Sequence, residues 1–131
     1  MARVLVAEDT PEMREALELT LSDAGHEVTL CETGDLALEV LEHASFDILV
    51  LDIWMPGRGG LEVLKIVAER WPDLRPIVIS GGGPDATLES VTTVADLYGA
   101  IRVLFKPFDD EELIAAIDEA LQQGGVKPAS D

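Results

Sequence analysis

The chain has 131 residues, 47% of them apolar and 27% charged, which fits one globular domain with its own core and excludes a disordered or fibrous protein. Twenty-six acidic against nine basic side chains leave a formal net charge of −17, which repels nucleic acid and anionic lipid and favours cations or basic protein surfaces. The single cysteine, Cys31, excludes an internal disulfide and alternates with apolar positions in EVTLCE as a buried residue would. No signal-peptide pattern opens the sequence, and no apolar run reaches the roughly 18–20 residues of a membrane span. We therefore expect a cytoplasmic protein that binds neither nucleic acid nor membrane.

Strand-like runs and helical periods then take turns. RVLVAE is short and β-rich, and Met13, Ala16, Leu17, Leu21 and Ala24 follow at the spacing of one helical face. Asp9 or Thr10 can cap that helix, Pro11 suits its first position, Glu12 lies where a capping-box partner of Asp9 would sit, and Gly25 supplies the stop. HEVTLCE predicts a second strand, 35–43 a helix, FDILVLD a third strand, and 60–71 a helix whose apolar face Trp71 closes before Pro72 and Asp73 punctuate the chain. PIVIS is the fourth strand, 85–97 a fourth helix, IRVLF the fifth strand and 109–122 the last helix, with Asp109, Asp110, Glu111 and Glu112 suited to its N-terminus. Gly81, Gly82 and Gly83 leave the loop into the 85–97 helix unusually free, and Val91, Thr92, Thr93 and Val94 give that helix a β-branched run of modest propensity. A mobile loop and a weak helix are expected there. His26 and His43 read as surface or packing residues, and the tail from 123 to 131 as flexible.

Five βα units with strands apolar on both faces predict an α/β, doubly wound fold: an open parallel sheet of five strands, in order 2-1-3-4-5, with helices on both sides. A closed eight-stranded barrel needs about 250 residues. Open sheets of this kind bind ligands beyond the carboxyl ends of the strands, where strand order reverses. Glu8 and Asp9 end strand one, Asp52 ends strand three, Ser80 ends strand four and Lys106 follows strand five, so all five polar groups fall on one rim. Taken singly, Glu8 and Asp9 could be helix caps and Asp52 a turn residue, while Lys106 and Ser80 say little. Their joint occurrence carries the reading.

Three carboxylates and one ammonium leave a surplus of about two negative charges if all are ionised, which a divalent cation would compensate. Mg²⁺ suits such oxygen ligands. A hydroxyl and an ammonium beside it can hold phosphoryl oxygens, so Asp52 is the expected nucleophile, accepting a phosphoryl group to give an aspartyl phosphate. Pro56, Gly57, Gly59 and Gly60 turn the chain sharply after it, leaving its side chain accessible and the Trp54 carbonyl available to the metal.

At these residues the chain resembles the receiver domain of two-component response regulators, the CheY-like, flavodoxin-like phosphoacceptor partner of a histidine kinase, here in stand-alone form. The resemblance covers about residues 3–122 and rests on Glu8-Asp9, on Asp52 in LDIWMPGRGG, on Ser80 ending IVIS and on Lys106-Pro107 in FKPF. It implies a receiver domain over 1–122 with no output domain. It also implies Asp52 phosphorylated from a phosphohistidine, Mg²⁺ held by Glu8, Asp9, Asp52 and the Trp54 carbonyl, and Ser80 and Lys106 on the phosphoryl group. Such a domain catalyses its own phosphorylation and dephosphorylation without being a turnover enzyme in the usual sense. Its implied partners are a histidine kinase or histidine phosphotransfer protein and a downstream effector protein, met by the face built from the 85–97 helix, the fifth strand and the last helix; a monomer or weak dimer is expected.

Two positions depart from the family pattern. Val103 stands where many receivers carry an aromatic switch residue, so any switch must use other groups, with Gly81 a candidate for the flexing. Trp54 is bulky for its place two residues after the phosphoacceptor, where it could lean over the site and slow attack by water. Among other functions, a flavodoxin-like FMN carrier would need a hydroxyl- and glycine-rich loop where the chain has EDTPEM. Nucleotide-binding glycine motifs are absent, as is the D-x-D first strand of a haloacid-dehalogenase-like phosphatase. The remaining alternatives are a receiver fold kept as a non-switching interaction module, and a phosphoryl sink or relay.

Overall fold

Ile48, Leu49, Val50 and Leu51 are all fully buried, so both faces of this strand need cover, which a sheet with helices on each side supplies. The computed structural model describes residues 1–53, 59–81, 96 and 98–126, with no side chains given for 123–126. Its elements are β1 (Arg3–Ala7), α1 (Pro11–Asp23), β2 (Glu27–Cys31), α2 (Gly34–His43), β3 (Ile48–Asp52), α3 (Gly60–Arg70), β4 (Arg75–Ser80), β5 (Arg102–Phe105) and α4 (Asp110–Val126). The helix expected over 85–97 lies outside the described residues apart from Asp96, as do Trp54, Gly82 and Gly83.

All five strands are parallel, in the expected order β2-β1-β3-β4-β5. The direction of winding reverses between β1 and β3, which pair from Val4 with Ile48 to Ala7 with Leu51. Each strand's alternating side chains feed two separate core layers. Leu5, Ala7, Leu49, Leu51 and Val78 pack with Ala37 and Leu41 of α2 and Val63, Leu64 and Val67 of α3. Val4, Val6, Ile48, Val50, Ile77, Ile79 and Leu104 pack with Leu17 and Leu21 of α1 and Leu113, Ala116 and Ile117 of α4.

The helix ends show where sequence reasoning held and where it did not. Thr10 is the N-cap of α1 with Pro11 behind it, but its side chain makes no capping bond. Instead of the expected Asp9–Glu12 box, the Thr10 N–H donates to Glu8 Oε2 at 3.1 Å. A reciprocal box forms at the last helix: the Glu112 N–H donates to Asp109 Oδ1 at 2.9 Å and the Asp109 N–H to Glu112 Oε1 at 3.2 Å. On α1, Leu17 and Leu21 are buried but Ala16 and Ala24 are exposed, because the packed stripe runs through Met13, Leu17 and Leu21, and Ala24 already lies past the last turn. The last helix continues to Val126, past the expected end at 122; glycine in a helix costs about 1 kcal/mol but does not forbid it.

Cys31 is buried at the end of β2 and burial pushes its thiol pKa up. His43 is exposed, and His26 Nδ1 accepts the Ala2 N–H at 3.0 Å, a packing role that joins the start of β1 to the loop before β2. Trp71 is half-buried against the α2–α3 core layer, with the Arg70 guanidinium over its ring at 4.5 Å. No helix among the described residues is long and apolar enough to cross a membrane.

Gly25 is the stop that its position suggests. It has φ +94, and the bonds from Gly25 N–H to the Ser22 carbonyl and from His26 N–H to the Leu21 carbonyl close α1 in a Schellman motif. Any Cβ is disfavoured in this left-handed conformation even though nothing lies within 4 Å of its place. Gly25→Ala is therefore expected to lose about 1–2 kcal/mol of stability, measured by urea denaturation; an unchanged midpoint would contradict the motif.

Candidate functional site

Strand parity brings the candidate residues together. Val4 and Val6 of β1 face the α1–α4 layer, as do Ile48 and Val50 of β3 and Leu104 of β5. Two residues on from the last of each stand Glu8, Asp52 and Lys106, so the same alternation delivers all three to one side of the rim. Asp9 follows Glu8, and β1 and β3 are neighbours at the reversal point. Ser80 ends β4 with the parity of Val78; its carbonyl accepts the Lys106 N–H at 2.9 Å, tying β5 to the same rim.

The acids converge. Carboxylate oxygens of Glu8, Asp9 and Asp52 lie within 4.8 Å of one another. Glu8 is fully buried, Asp52 is 2% and Ser80 1% exposed, which is costly for ionised groups unless charge and hydrogen bonds compensate. Lys106 supplies part of this: its Nζ is 3.1 Å from Glu8 Oε1 and 3.6 Å from Asp52 Oδ2. The first contact is ionic rather than directed, since Glu8 Oε1 has no hydrogen-bond partner while its other oxygen holds the Thr10 N–H. A buried carboxylate oxygen left without a hydrogen bond, facing two other acids, fits a hard cation that takes oxygen ligands. Local hydrogen bonding accounts for one oxygen of the pair, since Glu8 Oε2 holds the Thr10 N–H, while the Thr10 side chain itself makes no capping bond.

The loops are shaped for this arrangement. Gly60 opens α3 directly beneath the end of β3: its N–H donates to the Ile53 carbonyl at 3.0 Å, and a Cβ there would lie 2.4 Å from the Asp52 carbonyl oxygen and 2.6 Å from the Ile53 Cα. Only glycine admits that approach. A Cβ at Gly81 would sit 3.3 Å from Lys106 Cδ, so this glycine leaves room for the stem of the lysine. The Lys106–Pro107 peptide is cis.

Of the remaining sequence candidates, Val103 is half-buried on β5 in register with Val78 and packs against the α2–α3 layer with Tyr98 and Phe105. It is a packing residue of the face opposite the acids. Trp54 and its carbonyl lie outside the described residues. Sequence reasoning missed Arg14, whose Nη1 donates to the backbone carbonyls of Glu8 at 3.0 Å and Asp9 at 3.2 Å. Its one sequence signal is a cation at the N-terminal end of a helix, where the macrodipole disfavours it. The concavities around Trp71 are lined from the carboxyl-terminal parts of α2 and α3 and from the segments leading into β3, β4 and β5, and share no residue with this site.

Residues 4–118 match the response regulator receiver domain family. The chain belongs to that family. It is 37% identical over 121 residues to the transcriptional regulatory protein FixJ of Bradyrhizobium diazoefficiens, covering 92% of this chain and 57% of FixJ. It is 35% identical over 121 residues to the response regulator receiver protein CpdR of Brucella abortus, covering 92% of this chain and 98% of CpdR. Several other curated relatives are longer, and the chain spans from 23% to 53% of them. Among solved structures, response regulator protein TrrA of Thermotoga maritima, in complex with Mg²⁺-BeF, superposes with a TM-score of 0.80 at 29% identity, covering 92% of this receiver and 99% of TrrA. Receiver domains act in two-component signalling, typically bind Mg²⁺ at an acidic pocket, and interact with histidine kinases or phosphotransfer proteins and with effectors.

The close approach at Gly60 yields a direct test. Gly60→Ala forces the backbone of Asp52 and Ile53 to shift, and the loss of stability is expected to reach at least the roughly 1–3 kcal/mol typical of overpacking. Thermal or urea unfolding reads it, and an unperturbed variant would show that α3 does not press on the end of β3 in this way.

Proposed function

We propose that this receiver accepts a phosphoryl group on Asp52 from the phosphohistidine of a histidine kinase or phosphotransfer protein, in a Mg²⁺-dependent reaction, and signals through contacts with an effector protein. The functional unit is the domain over residues 1–122. The observation that carries the reading is the gathering of Glu8, Asp9 and Asp52 within 4.8 Å, with Lys106 against two of them and one Glu8 oxygen without a hydrogen bond.

Glu8, Asp9 and Asp52 are the residues that would hold the ion. Bound there, Mg²⁺ supplies positive charge against the equatorial oxygens of the transferring phosphoryl group. The chain's own groups do the rest. An Asp52 carboxylate oxygen attacks phosphorus while the bond from phosphorus to the donor's imidazole nitrogen breaks, leaving an acyl phosphate and an imidazole that takes up a proton from solvent. Lys106, fixed between Glu8 and Asp52, places its ammonium where charge develops on the phosphoryl oxygens. Ser80, at the adjoining strand end, offers a hydroxyl to one of these oxygens. Mg²⁺-BeF in the related TrrA supports the same assignment here.

Incubation with acetyl phosphate and Mg²⁺, followed by intact-protein mass spectrometry, tests the proposal. Wild type is expected to gain the mass of one phosphoryl group, and EDTA or Asp52→Asn to abolish the gain. Lys106→Met, which removes the ammonium, is expected to slow labelling about a hundredfold or more. A folded wild type that never labels would instead favour a receiver fold acting by its surface alone.

A further inference from the structure

The segment bearing the first two acids is held by more than the sheet. The Glu8 N–H donates to the Cys31 carbonyl at 3.1 Å, Glu8 Oε2 accepts the Thr10 N–H at 3.1 Å, and Arg14 Nη1 grips the Glu8 and Asp9 carbonyls together. The Arg14 N–H itself is bound at 2.9 Å to the Thr10 carbonyl in the first turn of α1. The helix, the turn before it and the end of β1 are thereby closed into one ring of hydrogen bonds.

Arg14 is half-buried and lies at the end of α1 where a cation is disfavoured by the helix dipole. Its placement therefore needs a compensating contact, and the two carbonyls provide it. Fixing both carbonyls fixes the peptide planes on either side of Asp9, and with them the directions in which the Glu8 and Asp9 side chains leave the backbone. Mg²⁺ demands near-ideal octahedral geometry, so a contact that sets these directions bears on its affinity although it touches no ligand atom.

We propose that Arg14 is a positioning residue for the cation site, orienting the Glu8-Asp9 backbone so that both carboxylates present to Asp52. The proposal rests on the reading of Glu8, Asp9 and Asp52 as a Mg²⁺ site. Charge and geometry pull in opposite directions here. A guanidinium near the site repels a cation, so removing it strengthens Mg²⁺ binding if charge alone matters; if it positions the acids, removing it weakens binding.

Isothermal titration of the full chain with MgCl₂, without any phosphodonor and well below the melting temperature, separates the two. Arg14→Gln is expected to bind Mg²⁺ about tenfold or more weakly than wild type, the usual cost of losing a contact that orients metal ligands. Arg14→Lys, which keeps the charge on a shorter stem, is expected to fall between them. Melting in EDTA monitors the fold separately, and a general loss of stability would lower the EDTA melt without changing the Mg²⁺ affinity of the folded fraction. Arg14→Gln binding Mg²⁺ as tightly as wild type, or more tightly, overturns the proposal while leaving the metal site standing. A wild type that binds no Mg²⁺ overturns both. Should Arg14→Gln not fold, Arg14→Lys decides: weaker binding at unchanged charge supports positioning, and unchanged affinity overturns it.

Discussion

The structure turns on an electrostatic imbalance at one rim of the sheet. Three carboxylates, one of them wholly buried, are brought within 4.8 Å of each other, and Lys106 forms ion pairs with two of them. Like charges at this range repel one another unless something compensates. The apolar strands pin the acids in place: with Leu5, Leu49, Leu51, Ile77 and Ile79 locked in two close-packed layers, the ends of β1 and β3 cannot move apart to relieve the repulsion. The core thus stabilises an arrangement that is unfavourable by itself, and on the proposed reading this imbalance is what draws a cation to the rim.

Much of this was legible in the sequence because two periodicities coincide with chemistry. Apolar runs such as ILVL and IVI announce buried central strands, and an acid or hydroxyl at the end of each such run can only lie at the sheet's carboxyl rim. Parity then does what the sequence only implied. Counting by twos from Val4, Ile48 and Leu104 predicts that Glu8, Asp52 and Lys106 share a face, while Val103 belongs to the other.

What sequence reasoning missed depends on contacts that carry no local pattern. The capping box assigned to Asp9 and Glu12 looked correct by spacing, but Glu8 takes the Thr10 N–H and Asp9 joins the acid cluster, so the tertiary demand of the site overrode the local motif. The same spacing at Asp109 and Glu112, with no competing demand, forms the box in full. Arg14 gives no comparable signal, because its value lies in two backbone carbonyls that no side-chain pattern reveals. Gly60 read as a turn glycine; its need for glycine comes from the backbone of β3 passing underneath.

The central claim is that the rim acids act together as a cation site, and amide chemical shifts in a ¹⁵N-labelled sample titrated with MgCl₂ test it most directly. The account predicts saturable changes concentrated at Glu8, Asp9, Asp52, Ile53, Ser80 and Lys106, where β1, β3, β4 and β5 end. Shifts that fail to saturate, or that spread evenly over the acidic outer faces of α1 and α4 without favouring this rim, would contradict it.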